Sequence, residues 1–420
     1  MNVYVARVSQ QLAERGIAVD VFTRWHEPGA AEVVQLAPNL RVVHLEAGGQ
    51  APRPKEEVPP LLREFLQHFV QFKERNGVEY DLLHSHYWLS GWVAARLSRR
   101  WRVPHVTMFH TLGAVKNQAR VGEHETPLRV RTEGRVVRQA DAVVVASQEE
   151  HHRLLQHYPA ARGKVRTIPC GVDLDLFQPL SQAEARAHLG LNGERILLFV
   201  GRPDPLKGLE ILLSAANLLE DPEGVRVLVI GGEATVPAPL PPDGAAVPSP
   251  AGILAPGPGG EFLDGGRTLP VTLQETPWVS PAGDQEAHPR DVAKVASPPE
   301  VSFLGRVSHQ MLPYYYSAAD VCVIPSYYES FGMVALEAMA CGVPVVAARV
   351  GGLQSTVRDG ETGYLIPWHC PEPFAERLEL LLGNETLRSR LGKASRIVAE
   401  SYRWSGVADQ LMELYDEVRK

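Results

Sequence analysis

The chain lacks any apolar run of about 18 residues, so no helix in it is expected to cross a bilayer. It does not open on a cationic segment followed by an apolar stretch, which leaves secretion unsupported. Cysteine is scarce. Cys170, Cys322, Cys341 and Cys370 are scattered without a CxxC pair, which argues against a zinc site and for the reduced thiols of a cytoplasmic protein. Positive charge is not in excess either. A formal net charge of −7 argues against broad binding to nucleic acid or anionic membranes, but a phosphorylated ligand needs only a few local cations. What is present is ordinary for a soluble globular protein, with 45% hydrophobic and 22% charged residues. At 420 residues the chain is too long for one core, and two domains are the natural count.

Short apolar runs alternate with helical stretches, twice over. The first half carries AVDVFT (18–23), RVVHL (41–45), DLLHS (81–85), HVTMF (105–109), AVVVAS (142–147) and VRTIP (165–169). The second carries ILLFV (196–200), VRVLVI (225–230), VSFL (301–304), VCVIP (321–325), VPVVAA (343–348) and YLIP (364–367). Such runs read as buried parallel strands, and the alternation predicts an α/β protein of two doubly wound domains. The change of half falls near GVDLDLFQPL (171–180). We therefore expect a first domain over 1–178, a second over 179–400, and a closing helix over 401–420 with Val407, Leu411, Leu414 and Val418 on one face. From 233 to 299 the composition turns to Pro, Gly and Ala without period. Such a stretch buries too little apolar surface to offset its ordering entropy, so a disordered surface excursion is expected, with a lid or partner-binding strap as the alternative.

Two segments of the second half concentrate charge at strand ends. Glu329 to Glu337 reads ESFGMVALE directly after VCVIPSYY. Strand, tight turn and helix start make an anion site, because the first N–H groups of a helix have no internal partner and its dipole favours negative charge. Ser330, Phe331 and Gly332 stand where those groups point. Glu329 before the turn and Glu337 within the helix can accept hydrogen bonds from sugar hydroxyls. Read alone, the segment is also an ordinary βα unit with two solvated glutamates. The second segment, ILLFVGRPDPLKGLEILL (196–213), places Arg202 and Lys207 around a Pro-rich turn. A guanidinium fork and a lysine point charge outside a parallel strand suit a pyrophosphate, although a solvated loop is the plainer reading of either residue alone.

The pair of motifs, a G-R-x4-K-G turn at Gly201–Gly208 and an E-x7-E segment at Glu329–Glu337, resembles the retaining nucleotide-sugar glycosyltransferases of family 4. The likeness covers nearly the whole chain apart from the 233–299 stretch. It implies the GT-B fold, two Rossmann-like domains facing across a cleft, with the terminal helix crossing back onto the first domain. It places Arg202, Lys207 and Arg306 with the donor diphosphate, with Ser330, Phe331 and Gly332 offering backbone, Glu337 on the ribose and Glu329 on the transferred sugar. Lys207, Arg202 and Glu329, with His110 on the acceptor side, would then be the catalytic set. The implied reaction has no enzymic nucleophile, and no DxD-like motif calls for a metal.

The first domain should hold the acceptor. HSHYWLSG (84–91), FHTLGAVKN (109–117) and the basic PLRVRTEGRVVRQAD (127–141) end strands or form a helix around one region. Lys55, Tyr87, Thr111 and Arg129 offer the cations and hydroxyls that a phosphate monoester wants. Taken singly, Lys55 is also a loop lysine, Arg129 a solvated helix residue, and His110 a strand-end histidine bonded to backbone. Within family 4 these segments resemble the branch that moves N-acetylglucosamine from a UDP-sugar to inositol phosphate in mycothiol synthesis, with the sucrose-phosphate synthases beside it. That likeness puts the acceptor phosphate on Lys55, Tyr87, Thr111 and Arg129 and the polyol on Asn2. The implied partners are a nucleotide-sugar donor and a phosphorylated small acceptor. A homodimer stays open, as do transfer of glucose to a sugar phosphate and transfer to a cell-surface glycan. The family's first strand and Gly-Gly turn would precede Met1, so the chain reads as truncated at its start, and an inactive nucleotide-sugar-binding protein is the alternative from another class.

Overall fold

The computed structural model describes residues 1–118, 124–232, 298–367 and 369–420. The Pro/Gly-rich stretch read from 233, with its expected disorder, lies outside the described residues up to residue 297.

Thirteen strands are found among the described residues. The first seven are β1 (Val19–Arg24), β2 (Val33–Ala37), β3 (Leu40–Leu45), β4 (Leu83–His86), β5 (His105–Met108), β6 (Ala142–Val145) and β7 (Val165–Thr167). The second half supplies β8 (Arg195–Val200), β9 (Val225–Ile230), β10 (Glu300–Gly305), β11 (Val321–Ile324), β12 (Val345–Ala348) and β13 (Gly363–Ile366).

The second half forms one parallel sheet in the order β10-β9-β8-β11-β12-β13. Its inner strands bury both faces, which is why they read as unbroken apolar runs. Along β8, Ile196 and Leu198 join one apolar cluster with Tyr316, Leu336 and Met339, while Leu197 and Phe199 join another with Leu212, Phe374 and Leu378. Helices therefore cover both sides. The strand order runs outward from β8 in one direction and from β11 in the other, so a crevice opens between the carboxyl ends of these two neighbours, where ligands bind in open α/β sheets.

The first half divides its strands. β4-β5-β6-β7 form one parallel sheet, and β1-β3-β2 form another, with no ladder joining the two among the described residues. Two sequence expectations need correction here. The strand β2 was not read from the sequence, and it runs antiparallel to β3. β1 is intermediate in exposure along its whole length rather than buried. A short strand that is only half covered needs no continuous apolar run, so VVQLA gave a weaker signal than the central strands.

The final helix, Trp404–Arg419, buries Val407, Ala408, Leu411 and Leu414. It lies against the first half. Arg15 pairs with Asp409 at 2.8 Å, and Tyr415 Oη meets His84 Nδ1 at 2.6 Å. Trp404 packs edge-on to Tyr4, with ring centroids 5.6 Å apart. It also closes over Gly171, where an added Cβ would lie 2.5 Å from the indole. Only glycine lets the connecting chain pass there.

Candidate functional site

The segments leaving the carboxyl ends of β8 and β11 bring together Lys207 and Glu329, two of the residues expected on the donor. After β8 the chain turns through Pro205–Lys207, where Asp204 Oδ1 accepts from the Leu206 N–H at 2.9 Å. Gly208 then takes a left-handed φ of 66°, and a Cβ there would sit 2.2 Å from the Pro325 carbonyl oxygen. The turn is thus pressed against the segment leaving β11, and the Tyr327 N–H donates to the Leu206 carbonyl at 2.9 Å. This contact carries Lys207 Nζ to 2.6 Å from Glu329 Oε2, across 122 residues of sequence. Arg202 and Arg306 are exposed, and neither guanidinium has a hydrogen bond or ion pair among the described residues.

Beyond Glu329, Gly332 turns at φ 97° into the helix Met333–Ala340. Gly332 is its N-cap. The Phe331 side chain is buried beside Tyr402, which leaves its backbone as the part on offer to a ligand. Glu337 is buried on that helix. Its Oε2 accepts from Tyr316 Oη at 2.9 Å, and its Oε1 lies 3.7 Å from His309 Nε2.

Three residues that shape this loop were missed in the sequence. Gly352 N–H donates to the Glu329 carbonyl at 3.0 Å, and a Cβ on Gly351 would come 1.8 Å from the same oxygen. A Cβ on Gly352 would lie 2.4 Å from Phe331 Cα. Thr356 Oγ1 donates to the Phe331 carbonyl at 3.0 Å. The available signal was the Gly-Gly pair directly after the apolar run VPVVAARV. A fourth, Tyr328, reaches the Leu112 backbone in the first half. Burial and then the Glu150 charge push its hydroxyl above the ordinary range.

On the acceptor side, Tyr87 and His110 both hold positive φ, at 78° and 61°, directly after β4 and near the end of β5. Non-glycine residues in that region are costly, and they gather at functional ends of elements. Arg129 is 2% exposed, which overturns its reading as a solvated helix residue. The guanidinium donates four hydrogen bonds and makes one further ion-pair contact. Nε donates to Glu133 Oε1 at 2.7 Å, and Nη1 reaches Tyr87 Oη at 3.1 Å and Glu125 Oε1 at 2.8 Å. Nη2 donates to the Thr111 carbonyl at 2.6 Å and to Thr111 Oγ1 at 2.9 Å. Burial works against the charged guanidinium, and Glu133, Tyr87 and Glu125 more than restore it.

His110 Nε2 lies 3.1 Å from His86 Nδ1, so this strand-end histidine is bonded to another imidazole and not to backbone. Burial, then the positive amino terminus and His84, lower its pKa to about 3. The imidazole is therefore neutral near pH 7. Lys55 is half exposed on a single 3-10 turn, 3.6 Å from Glu56, and is not among the partners of Arg129 described above. Asn2 is exposed at the first position of the helix Asn2–Glu14. The structure thus joins Tyr87, Thr111 and Arg129, joins Lys207 to Glu329, and leaves Lys55 and Asn2 outside those two groups of bonds. No set of three His, Cys, Asp or Glu among the described residues is arranged to hold a metal, and no helix among them is long and apolar enough to cross a membrane.

Residues 1–176 match the family description Glycosyltransferase Family 4, and residues 283–398 match Glycosyl transferases group 1. The D-inositol 3-phosphate glycosyltransferase of Nocardiopsis dassonvillei is 38% identical over 421 residues, covering 99% of this chain and 89% of that one. This chain belongs to the family 4 glycosyltransferases. The namesake from Corynebacterium efficiens is 37% identical, over 99% of this transferase and 90% of its own length. Among solved structures, sucrose-phosphate synthase from Thermosynechococcus elongatus superposes with a TM-score of 0.77 at 31% identity, covering 99% of this chain and 92% of that one. Anabaena HepE, solved with UDP-glucose, gives a TM-score of 0.62 at 20% identity over 89% of this chain and 85% of its own, a likeness of fold. The transferase accordingly has the GT-B arrangement, two Rossmann-like domains facing across a cleft.

Proposed function

We propose that this transferase moves a hexose, N-acetylglucosamine in the first instance, from a UDP-sugar to inositol phosphate with retention of anomeric configuration. The observation that carries the acceptor class is the gathering of Tyr87 Oη and Thr111 Oγ1 on the buried Arg129 guanidinium. Hydroxyls and a cation at one point match the acceptors and charge of a phosphate monoester. The relatives named for D-inositol 3-phosphate support the same reading. In it, Lys55 and Asn2 come to the acceptor from the first domain's edge. Arg202, Lys207 and Arg306 neutralise the donor diphosphate, and Glu337 and Glu329 take the ribose and the transferred sugar.

The chemistry follows from charge placement. The acceptor oxygen attacks the face from which UDP departs, and the leaving β-phosphate takes its proton. The protein orients the two substrates and stabilises the negative charge that grows on the diphosphate. Neutral His110 contributes a hydrogen bond to the sugar and no charge. No metal is assigned a part. The reading includes a domain division at 178/179, with 401–420 returning to the first domain, and action in the cytoplasm, supported by four unpaired thiols.

The likeness to sucrose-phosphate synthase favours a second reading, with fructose 6-phosphate as acceptor. UDP release is measured with UDP-N-acetylglucosamine and UDP-glucose against inositol phosphate, free inositol and fructose 6-phosphate. The proposal expects inositol phosphate to be used far better than inositol. Equal rates with both remove the phosphate site, and a preference for fructose 6-phosphate selects the second reading.

A further inference from the structure

Arg129 is flanked by two carboxylates that differ in how firmly they are held. Glu133 is fully enclosed. It accepts from Arg129 Nε at 2.7 Å, from Tyr158 Oη at 2.6 Å, and from the Gly113 N–H at 3.1 and 3.2 Å. Both of its oxygens are engaged, so it serves as the fixed counter-charge that holds the guanidinium plane. Glu125 is 8% exposed and is held through one oxygen. Its Oε1 sits 2.8 Å from Arg129 Nη1 and 2.6 Å from Lys116 Nζ, while Oε2 has no partner among the described residues. Its backbone is fixed separately. Asn117 Oδ1 accepts from the Glu125 N–H at 2.7 Å, and Asn117 Nδ2 donates to the Glu125 carbonyl at 3.1 Å. The Glu125 side chain can therefore swing away while its main chain stays in place.

A carboxylate oxygen shared by an arginine and a lysine, next to two hydroxyls, stands in for a phosphate oxygen. With Arg129 2% exposed and walled in by these partners, an acceptor phosphate reaches the guanidinium by taking a place that one of them now fills. Glu125 is the partner with fewest ties. Its departure also frees Lys116. With Glu125 in place, two cations face two carboxylates. Once it leaves, the positive charge exceeds the negative, as a phosphate monoester requires.

We propose that Lys116 is a further ligand of the acceptor phosphate and that Glu125 is a placeholder the phosphate displaces. This rests on the reading of Arg129 as a phosphate-binding residue, and the test separates the two. The full chain is titrated calorimetrically with inorganic phosphate and with inositol phosphate, with UDP binding and the thermal midpoint as controls. Glu125→Gln removes the competing charge and is expected to tighten phosphate binding about tenfold. Lys116→Ala is expected to weaken inositol phosphate binding about tenfold while leaving the response to free inositol unchanged, with recovery in Lys116→Arg. The double variant should lose the gain made by Glu125→Gln. Phosphate binding that is unchanged or weaker in Glu125→Gln overturns the placeholder. If both single variants are silent while Arg129→Ala abolishes phosphate binding, this proposal falls and the phosphate acceptor stands. If no form binds phosphate or inositol phosphate while UDP still binds, both fall together.

Discussion

Lys207→Ala tests the donor half, because the structure gives this lysine two roles with different consequences. Lys207 Nζ lies 2.6 Å from Glu329 Oε2, with side-chain exposures of 31% and 17%. A pair that partly wetted contributes modestly to stability, on the order of 1 kcal/mol. In the proposed complex the same ammonium meets the diphosphate, and a hydrogen bond to a charged group contributes about 1.5–3 kcal/mol. Losing it corresponds to a fall in UDP affinity of about tenfold to a hundredfold. Glu329→Gln separates the roles. It frees Lys207 from its carboxylate, so UDP affinity should hold within about threefold or rise, while sugar transfer falls because Glu329 is proposed to hold the transferred sugar. Calorimetry with UDP reads the first effect and UDP release under saturating acceptor reads the second. Unchanged UDP affinity in Lys207→Ala refutes the donor assignment. An equal loss of UDP binding in both variants, with lowered thermal midpoints, would show that the ion pair is scaffold and nothing more.

Gly208→Ala adds a left-handed penalty of about 1–2 kcal/mol to a Cβ placed 2.2 Å from the Pro325 carbonyl oxygen, and should lower both the thermal midpoint and UDP affinity. A midpoint equal to that of the parent chain, read by scanning calorimetry, contradicts the close passage of these two turns. Arg129→Lys keeps charge but cannot bond Glu133, Tyr87 and Thr111 in one plane, so KM for inositol phosphate should rise with UDP affinity unchanged. Burial pushes the Glu150 carboxyl up to about 7 from an ordinary 4.5, against the pull of the Ala146 N–H. The folded state thus holds a proton that the unfolded state releases, so stability should fall by about 3 kcal/mol as pH rises between those values and level off above. Denaturant titrations in which Glu150→Gln keeps the same slope with pH would assign that dependence elsewhere.

The parts of the fold that were legible are those whose burial is symmetrical. β8, β9, β11 and β12 are covered on both faces and write themselves as apolar runs. β2 sits at the edge, pairs antiparallel and is half exposed, so VVQLA gives no comparable run. The same logic governs the loop proposed to hold the donor. Arg202, Lys207, Glu329 and Glu337 stand out as side-chain chemistry at fixed spacing. Gly351, Gly352 and Thr356 hold that loop through its backbone carbonyls, and a residue acting by what it lacks or through main-chain contacts leaves little trace in composition.

Arg129 shows where local reading stops. The segment PLRVRTEGR looks like a polar helix open to solvent, and nothing within it reports that residues 42 and 18 positions earlier close over the guanidinium. One local signal did exist. Glu125 and Glu133 stand four residues before and after Arg129, Glu133 on the same face of the helix Pro127–Gln139 and Glu125 just ahead of its N-cap Thr126. On a solvated face, such a triplet contributes a few tenths of a kcal/mol per pair and carries no further meaning. Buried, it must satisfy five donors and balance its charge, because an uncompensated guanidinium is too costly to enclose. Glu133 neutralises the buried arginine, and Glu125 balances Lys116 beside it. In the proposed exchange Glu125 is the carboxylate that gives way to an anion, because it is held through one oxygen whereas both oxygens of Glu133 are bonded.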